Sequence, residues 1–230
     1  MRGVNFNVRR GEIVGIAGVE GNGQTELAEA LSGLIKPTGG SIKFKDTEIT
    51  NYSVRKRRKL GMSHVPEDRL KVGVAKARSI VENLIMNRYY QPPYTKYSIM
   101  DNKKLLALAE GLREKFDIKT PDTLRPLSSL SGGNMQKVVF AREIEMEPDL
   151  LIAAQPTRGV DIGAIEYIHK TILELRDSGK GILLISAELD EILSLSDRIL
   201  VMYEGKISAE FNRGEADEKL IGEHMTGARG

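Results

Sequence analysis

The stretch Gly18-Val19-Glu20-Gly21-Asn22-Gly23-Gln24-Thr25 has the spacing of a loop that wraps a phosphate in backbone N–H groups, with one residue out of pattern. The pattern G-x-x-x-x-G-K-[ST] calls for a lysine where this chain has Gln24. The amides of Asn22, Gly23, Gln24 and Thr25 can still form a nest for an anion, and the Thr25 hydroxyl can still ligate Mg²⁺. A second candidate is Leu130-Ser131-Gly132-Gly133-Asn134, a serine and two glycines opening a helical stretch. Bare amides and a helix dipole at such a start attract an anion. Taken alone, each has a plainer reading: a tight strand-to-helix turn at Gly18, and an N-cap after a loop at Ser131.

The flanking residues supply the elements that must hold these loops. Glu12 to Ala17 is an apolar run that reads as a buried strand, and Thr25 to Leu31 reads as a helix with Leu27 and Leu31 on one face. Strand, glycine loop and helix is the context a phosphate loop requires. Val4 to Val8 alternates apolar and polar and predicts a short strand so close to Met1 that the chain looks cut from something longer. Pro37 to Gly40 predicts a turn, and Ser41–Phe44 and Met62–Val65 predict strands. From Ser79 to Glu147 strand signals vanish: Ser79–Met86, Asp101–Lys115 and Gly132–Glu145 are helical in pattern. Strands at 150–154, 181–186, 198–202 and 206–211 then alternate with helices at 163–176 and 188–195. Such alternation argues an α/β fold on a parallel sheet. The expected organisation is a core of 1–68 and 148–230, with a small β region, and a helical subdomain inserted at about 69–147.

Composition narrows the function classes. The 230 residues carry a net charge of +2, so strong electrostatic binding of nucleic acid is not implied. Without cysteine there are no disulfides or thiolate metal sites. The start lacks the apolar core of a signal peptide, and runs such as Ile182–Ile185 are too short to span a bilayer, so a membrane role has to come through a partner.

With both loops in place, the chain resembles the ATP-binding cassette of ABC transporters, a P-loop NTPase (RecA-like) fold. Leu130 to Asn134 looks like that family's signature motif. Leu151 to Gln155 lies where the family has its Walker B strand and catalytic glutamate. Pro156-Thr157-Arg158-Gly159-Val160-Asp161 resembles the D-loop, Ala187 lies at the switch histidine, and Glu67 stands at the Q-loop where most cassettes carry glutamine. The resemblance covers Val4 to Arg213. Within the family, Glu67-Asp68-Arg69 and Pro156-Thr157-Arg158-Gly159-Val160-Asp161 look most like the second cassette of importers with two fused cassettes, for sugars or nucleosides, and the Ala154-Gln155-Pro156-Thr157-Arg158-Gly159 form is more similar to the nucleoside type. It implies ATP and Mg²⁺ as cofactors, bound by Gly18, Glu20, Gly21, Asn22, Gly23, Gln24, Thr25 and Glu26. It also implies a second cassette in a head-to-tail dimer, and transmembrane permease subunits that hold the protein at the cytoplasmic face of the plasma membrane. The adenine-stacking aromatic of the family would lie upstream of Met1.

Four family positions are altered together. Gln24 replaces the lysine that reaches the β- and γ-phosphates; a hydrogen bond to a charged group is worth ~1.5–3 kcal/mol, so affinity should fall roughly 10- to 100-fold. Ala154 replaces the metal-holding aspartate. Gln155 replaces the carboxylate that would deprotonate water, a loss of about 10²–10⁴ in rate. Ala187 removes the histidine that would contact the γ-phosphate. All four act in the same direction, so hydrolysis in this cassette's own site is expected to be negligible, while the intact signature serves the partner's ATP. Two other functions stand beside this one: an active transport ATPase using Glu20 or Glu188 as surrogate carboxylates, and a scaffold that binds no nucleotide.

Other features have bland readings. The basic run Arg55-Lys56-Arg57-Arg58-Lys59 reads as a solvated helix face. His64, His169 and His224 show no metal-ligand spacing. Arg69 and Arg158 are expected to pair with acidic neighbours such as Asp68 and Asp161. Tyr89 to Tyr94 reads either as a surface loop or as a partner-binding loop.

Overall fold

The computed structural model describes Met1 and residues 3–228. It divides into two compact units: Met1–Glu67 with Pro148–Pro156 and His169–Gly230, and Asp68–Glu147 with Thr157–Ile168. The stretch 157–168, which the sequence pattern groups with the core, falls in the second unit.

The first unit is built on a sheet. Its strands are β1 (Ile13–Ala17), β4 (Met62–Val65), β7 (Leu150–Ala154), β8 (Gly181–Ser186), β9 (Arg198–Tyr203) and β10 (Lys206–Asn212), in the order β10-β9-β1-β8-β7-β4. All neighbours are parallel except β10, which returns antiparallel to β9 with a register shift between Ile207 and Ala209. A parallel sheet covered on both faces needs apolar side chains throughout, and β1 and β8 are buried along their whole length. Val14, Ile16, Ile152, Ala154, Leu183, Ile185, Leu200 and Met202 form one buried cluster with Leu27 and Ala28 of helix α1 (Gln24–Ser32). A two-stranded pair, β2 (Lys43–Phe44) and β3 (Thr47–Glu48), precedes α2 (Val54–Lys59). Helices α7 (Leu189–Leu195) and α8 (Glu218–Met225) complete the unit. The alternation at Val4, Phe6 and Val8 does place those side chains half-buried against the sheet cluster, but the segment forms no strand ladder.

The second unit packs α3 (Ile80–Ile85), α4 (Asn102–Lys115) and α5 (Gly132–Ile144) around Leu84, Leu105, Leu112, Phe116, Leu127 and Val138. Ser79 and Glu82 form a reciprocal capping box on α3, and Asp101 caps α4. Contrary to the sequence expectation, this unit contains strands: β5 (Thr95–Lys96) and β6 (Ile99–Met100) form a small hairpin. The Tyr89–Tyr94 loop leads into it, with Tyr94 packed on the helical cluster and Pro92–Pro93 joined by a cis bond. Helix α6 (Ile162–Asp177) crosses the division, its residues through Ile168 grouping with the second unit.

The basic run on α2 is not a uniformly solvated face. Arg57 is 1% exposed. Its guanidinium donates to the carbonyls of Ala30 (2.6 Å), Leu31 (2.7 Å), Tyr52 (3.0 Å) and Thr50 (2.9 Å). Ala30 and Leu31 lie in the last turn of α1, whose carbonyls carry the negative end of the helix dipole. A buried cation is tolerated there because the helix end supplies partial negative charge and every acceptor is backbone. Arg57→Ala should therefore take this donor from four buried or part-buried carbonyls and cost about 3 kcal/mol or more. Urea unfolding measures it, and a loss under 1 kcal/mol would remove Arg57 from this role.

Asp149, just before β7, gathers Lys45 (2.6 Å), Lys180 (3.5 Å) and Arg10 (3.8 Å). The hydrogen bond from Lys45 holds its carboxyl below the ordinary 3.8, assisted by the charges of Lys45 and Lys180 and opposed by partial burial. A carboxyl depressed in the folded state stabilises the fold above its unfolded value and loses that contribution as pH falls through the folded one. Asp149→Asn should be less stable by ~1 kcal/mol at pH 7. Its deficit should close as pH drops below 3.8. Denaturant unfolding of both proteins at pH 7 and at acid pH tests the crossover.

Candidate functional site

Two loops hold the candidate functional residues, one in each unit. In the first unit, residues 18–23 connect the C-terminal end of β1 to the N-terminus of α1. Gly21 and Gly23 take φ of 89° and 103°, the left-handed conformation that lets the chain fold over on itself before the helix. The N–H groups that open α1 have no helical carbonyl to meet, but the Asn22 N–H expected in the cradle is instead bonded to the Val19 carbonyl (3.3 Å), closing the loop on itself. Asn22 is buried, and its side-chain carbonyl accepts from the Glu204 N–H (3.0 Å) while its backbone carbonyl accepts from Gly205 (3.0 Å). The β9–β10 turn therefore braces the cradle. Nothing in the sequence signals this tie, because the partners lie 182 residues apart.

Gln24 does not extend into the cradle as a lysine would. Its Nε2 donates to the Val19 carbonyl across the loop at 3.1 Å, and the residue is buried. The side chain lies flat against Gly18, where a Cβ would stand 2.1 Å from Gln24 Nε2. Thr25 donates its hydroxyl to Glu67 Oε2 at 2.7 Å, which brings the expected metal ligand and the Q-loop position together. Glu20 and Glu26 are exposed on either side.

At the end of β7, Ala154 is buried and Gln155 takes a φ of 47°, unusual for a residue with a Cβ. Its N–H donates to the Ile185 carbonyl (2.7 Å), and its Oε1 accepts from the Ala187 N–H (3.3 Å). Two of the positions expected to be altered are thus joined to each other: the Gln155 side chain is spent on the Ala187 backbone. The Glu188 N–H is held by Ser186 Oγ (3.1 Å). A phosphate and a hard cation fit the cradle amides and the Thr25 oxygen. Gln24 and Ala154 supply neither the cation nor the carboxylate found in the motif's full form.

In the second unit, Leu130 is buried and anchors the turn before α5. Ser131 caps that helix, its Oγ accepting from the Asn134 N–H (3.3 Å) and Nδ2 (3.0 Å), while Asn134 Oδ1 accepts from the Lys119 N–H (2.8 Å). Asp161 caps α6 through the Ala164 N–H (3.0 Å) and lies against Gly133. Arg69 does not find its hydrogen bonds on Asp68: its guanidinium donates to the carbonyls of Arg158 (2.6 Å) and Gly159 (3.1 Å), beside Gly132. Asp68 instead caps the single π-helical turn Arg69–Gly73 and pairs with Lys71 (3.3 Å), and Asp161 is taken up by its helix cap. Signature glycines, D-loop and Arg69 therefore form one packed group. Of the histidines, His169 bonds Glu191 (2.9 Å) and His224 packs edge-on to Phe211. Among the described residues no cluster could hold a metal on three or more His, Cys, Asp or Glu, and no helix is long and apolar enough to cross a membrane.

The ABC transporter family matches residues 1–158. The chain belongs to that family. It is 47% identical over 227 residues to the nucleoside import ATP-binding protein NupA of Lactococcus lactis subsp. cremoris, covering 99% of this chain and 45% of that protein. The guanosine import ATP-binding protein NupO of Bacillus subtilis is 46% identical over 228 residues, covering 99% and 45%. The ribose import ATP-binding protein RbsA of Clostridium perfringens is 39% identical over 221 residues, covering 96% and 44%. The chain thus spans less than half the length of these relatives. In three dimensions it resembles a nucleotide-free ATP-binding cassette from an ABC transporter, with a TM-score of 0.79, 26% identity and coverage of 95% and 90%. The fold is accordingly the P-loop NTPase fold of ABC cassettes, and cassettes of this family bind ATP, typically with Mg²⁺.

Gly133 shows how tightly this cassette packs its signature. A Cβ there would stand 2.5 Å from Asp161 Oδ2 and 3.1 Å from the Ala164 Cβ. Gly133→Ala should lose about 1–3 kcal/mol to overpacking despite alanine's better helix propensity. Chemical denaturation is the check, and a stabilised variant would contradict the packing.

Proposed function

We propose that this cassette is the degenerate half of an asymmetric pair in an importer for nucleosides or simple sugars. It binds ATP weakly in its own Walker site and lends an intact signature to the ATP held by a partner cassette. The observation that carries the reading is the contrast between its two loops. Gln24 is turned back onto Val19 in the one. Ser131 caps a complete helix start in the other. The import functions named for the relatives support the solute class, and their greater length supports a second cassette in the same chain. Permease subunits at the cytoplasmic face of the plasma membrane would receive the work.

ATP, when bound, supplies the phosphoanhydride whose cleavage resets the pair. This chain's residues divide the remaining tasks. The amides of Gly23, Gln24 and Thr25 hold phosphate oxygens, the Asn22 N–H being bonded to the Val19 carbonyl (3.3 Å), and Glu20 and Glu26 flank them. Gln155 cannot take a proton from water, and its carbonyl is already committed to Ala187. Ala187 has no ring to reach a γ-phosphate. The own site therefore serves as a closing surface. Leu130, Ser131, Gly132, Gly133 and Asn134 present the positive end of α5 to the partner's triphosphate, with Asp161 and Arg69 fixing that end in place.

Calorimetric titration with Mg-ATP should give a dissociation constant in the micromolar-to-millimolar range, ~10- to 100-fold weaker than a lysine-bearing loop. Steady-state phosphate release should stay at background, and Gln155→Glu alone should not raise it, because Gln24 and Ala154 remain. Robust turnover by the unmodified protein would establish an active ATPase instead, and no heat at several millimolar would establish a scaffold.

A further inference from the structure

We propose that Arg69 is a positioning residue of the signature: it holds the D-loop carbonyls off the bare amides that open α5, and so keeps those amides free for the partner's triphosphate. The inference rests on the reading that this signature serves a partner cassette's ATP. It starts from the crowding at the helix start. A Cβ on Gly132 would stand 3.1 Å from the Gly159 carbonyl oxygen and 3.1 Å from Arg69 Nη2. A strong acceptor therefore lies against the first residue of α5. The N–H groups of Gly132 and Gly133 have no helical carbonyl to meet, so they bond whichever acceptor reaches them. The D-loop oxygen and a phosphate oxygen compete for the same donors.

Arg69 settles that competition. Its guanidinium donates to the carbonyls of Arg158 (2.6 Å) and Gly159 (3.1 Å), occupying both oxygens with one planar fork. The tie matters most at Gly159, whose φ of 65° and missing Cβ leave its peptides free to rotate. Asp68 is spent elsewhere: it caps the turn that Arg69 opens, accepting from the Leu70 and Lys71 N–H groups at 3.0 Å each. Among the described residues the buried Arg69 Nε finds no partner. A donor left unmet in this way marks a side chain placed for the D-loop rather than for its own solvation. Charge acts in the same direction. Asp161 brings a carboxylate to the same helix start, 2.5 Å from where a Gly133 Cβ would stand, and the Arg69 guanidinium offsets it where a triphosphate would sit.

The test is ATP turnover by the assembled transporter as a function of ATP concentration. An acceptor that competes with phosphate raises KM and leaves kcat alone. Arg69→Met, which keeps an apolar stem and loses the fork, should raise KM for ATP by about 10-fold or more with kcat within about twofold. Arg69→Lys keeps the charge and can hold one carbonyl, so its KM should stay within about threefold of the unmodified protein. Arg69→Gln, neutral and able to hold one carbonyl, covers a methionine variant that does not assemble, and should raise KM by more than about threefold. The inference falls if kcat drops at unchanged KM in these variants, since Arg69 would then only support the fold. It falls equally if none of them moves KM. If Ser131→Arg leaves turnover intact, the reading of the signature falls and this inference with it, whatever the Arg69 variants do.

Discussion

The first N–H groups of an α-helix have no carbonyl of their own helix to meet, and most of this protein's functional geometry answers that constraint. Helix α1 meets it with a glycine loop whose two left-handed residues fold the chain over the helix start. Helix α5 meets it with Ser131 and Asn134, and α6 with Asp161. The opposite end of α1 poses the mirror problem, and there Arg57 donates to the terminal carbonyls of the helix. The phosphate cradle is thus the open end of a helix whose other end is closed by a buried cation.

What the cradle does is decided by side chains rather than by backbone. The loop's conformation survives without the lysine because Gly21, Gly23 and the brace between Asn22 and the β9–β10 turn do not involve position 24. Gln24, once neutral, has an acceptor at hand in the Val19 carbonyl and takes it. Gln155 behaves alike: its side-chain carbonyl accepts from the Ala187 N–H. Gln24 and Gln155 thus each spend a side-chain hydrogen bond on nearby backbone.

Much of this was legible in the chain. The strands at Leu150–Ala154 and Gly181–Ser186 fall where largely apolar runs place them, since a strand buried on both faces needs apolar side chains along its length. Asp101 and Ser79 marked their helix starts through capping chemistry that is local by nature. What escaped depends on distance along the chain. The alternating Val4, Phe6 and Val8 pack as expected but form no strand ladder. Arg57 looks like its basic neighbours until α1 is placed beside it. The Asn22 brace and the Arg69 bonds to the D-loop join residues that no local pattern relates. The β5–β6 hairpin is two residues per strand, too short to show alternation.

In the proposed pairing, the signature and the cradle of one cassette divide the labour. ATP turnover by the assembled transporter, measured with Ser131→Arg and with Gln24→Ala in this cassette, tests that division most directly. Blocking the helix start that faces the partner's triphosphate should cut turnover by ~100-fold, while emptying the cradle of its glutamine should leave it within about twofold. Turnover that survives Ser131→Arg and collapses with Gln24→Ala would contradict it.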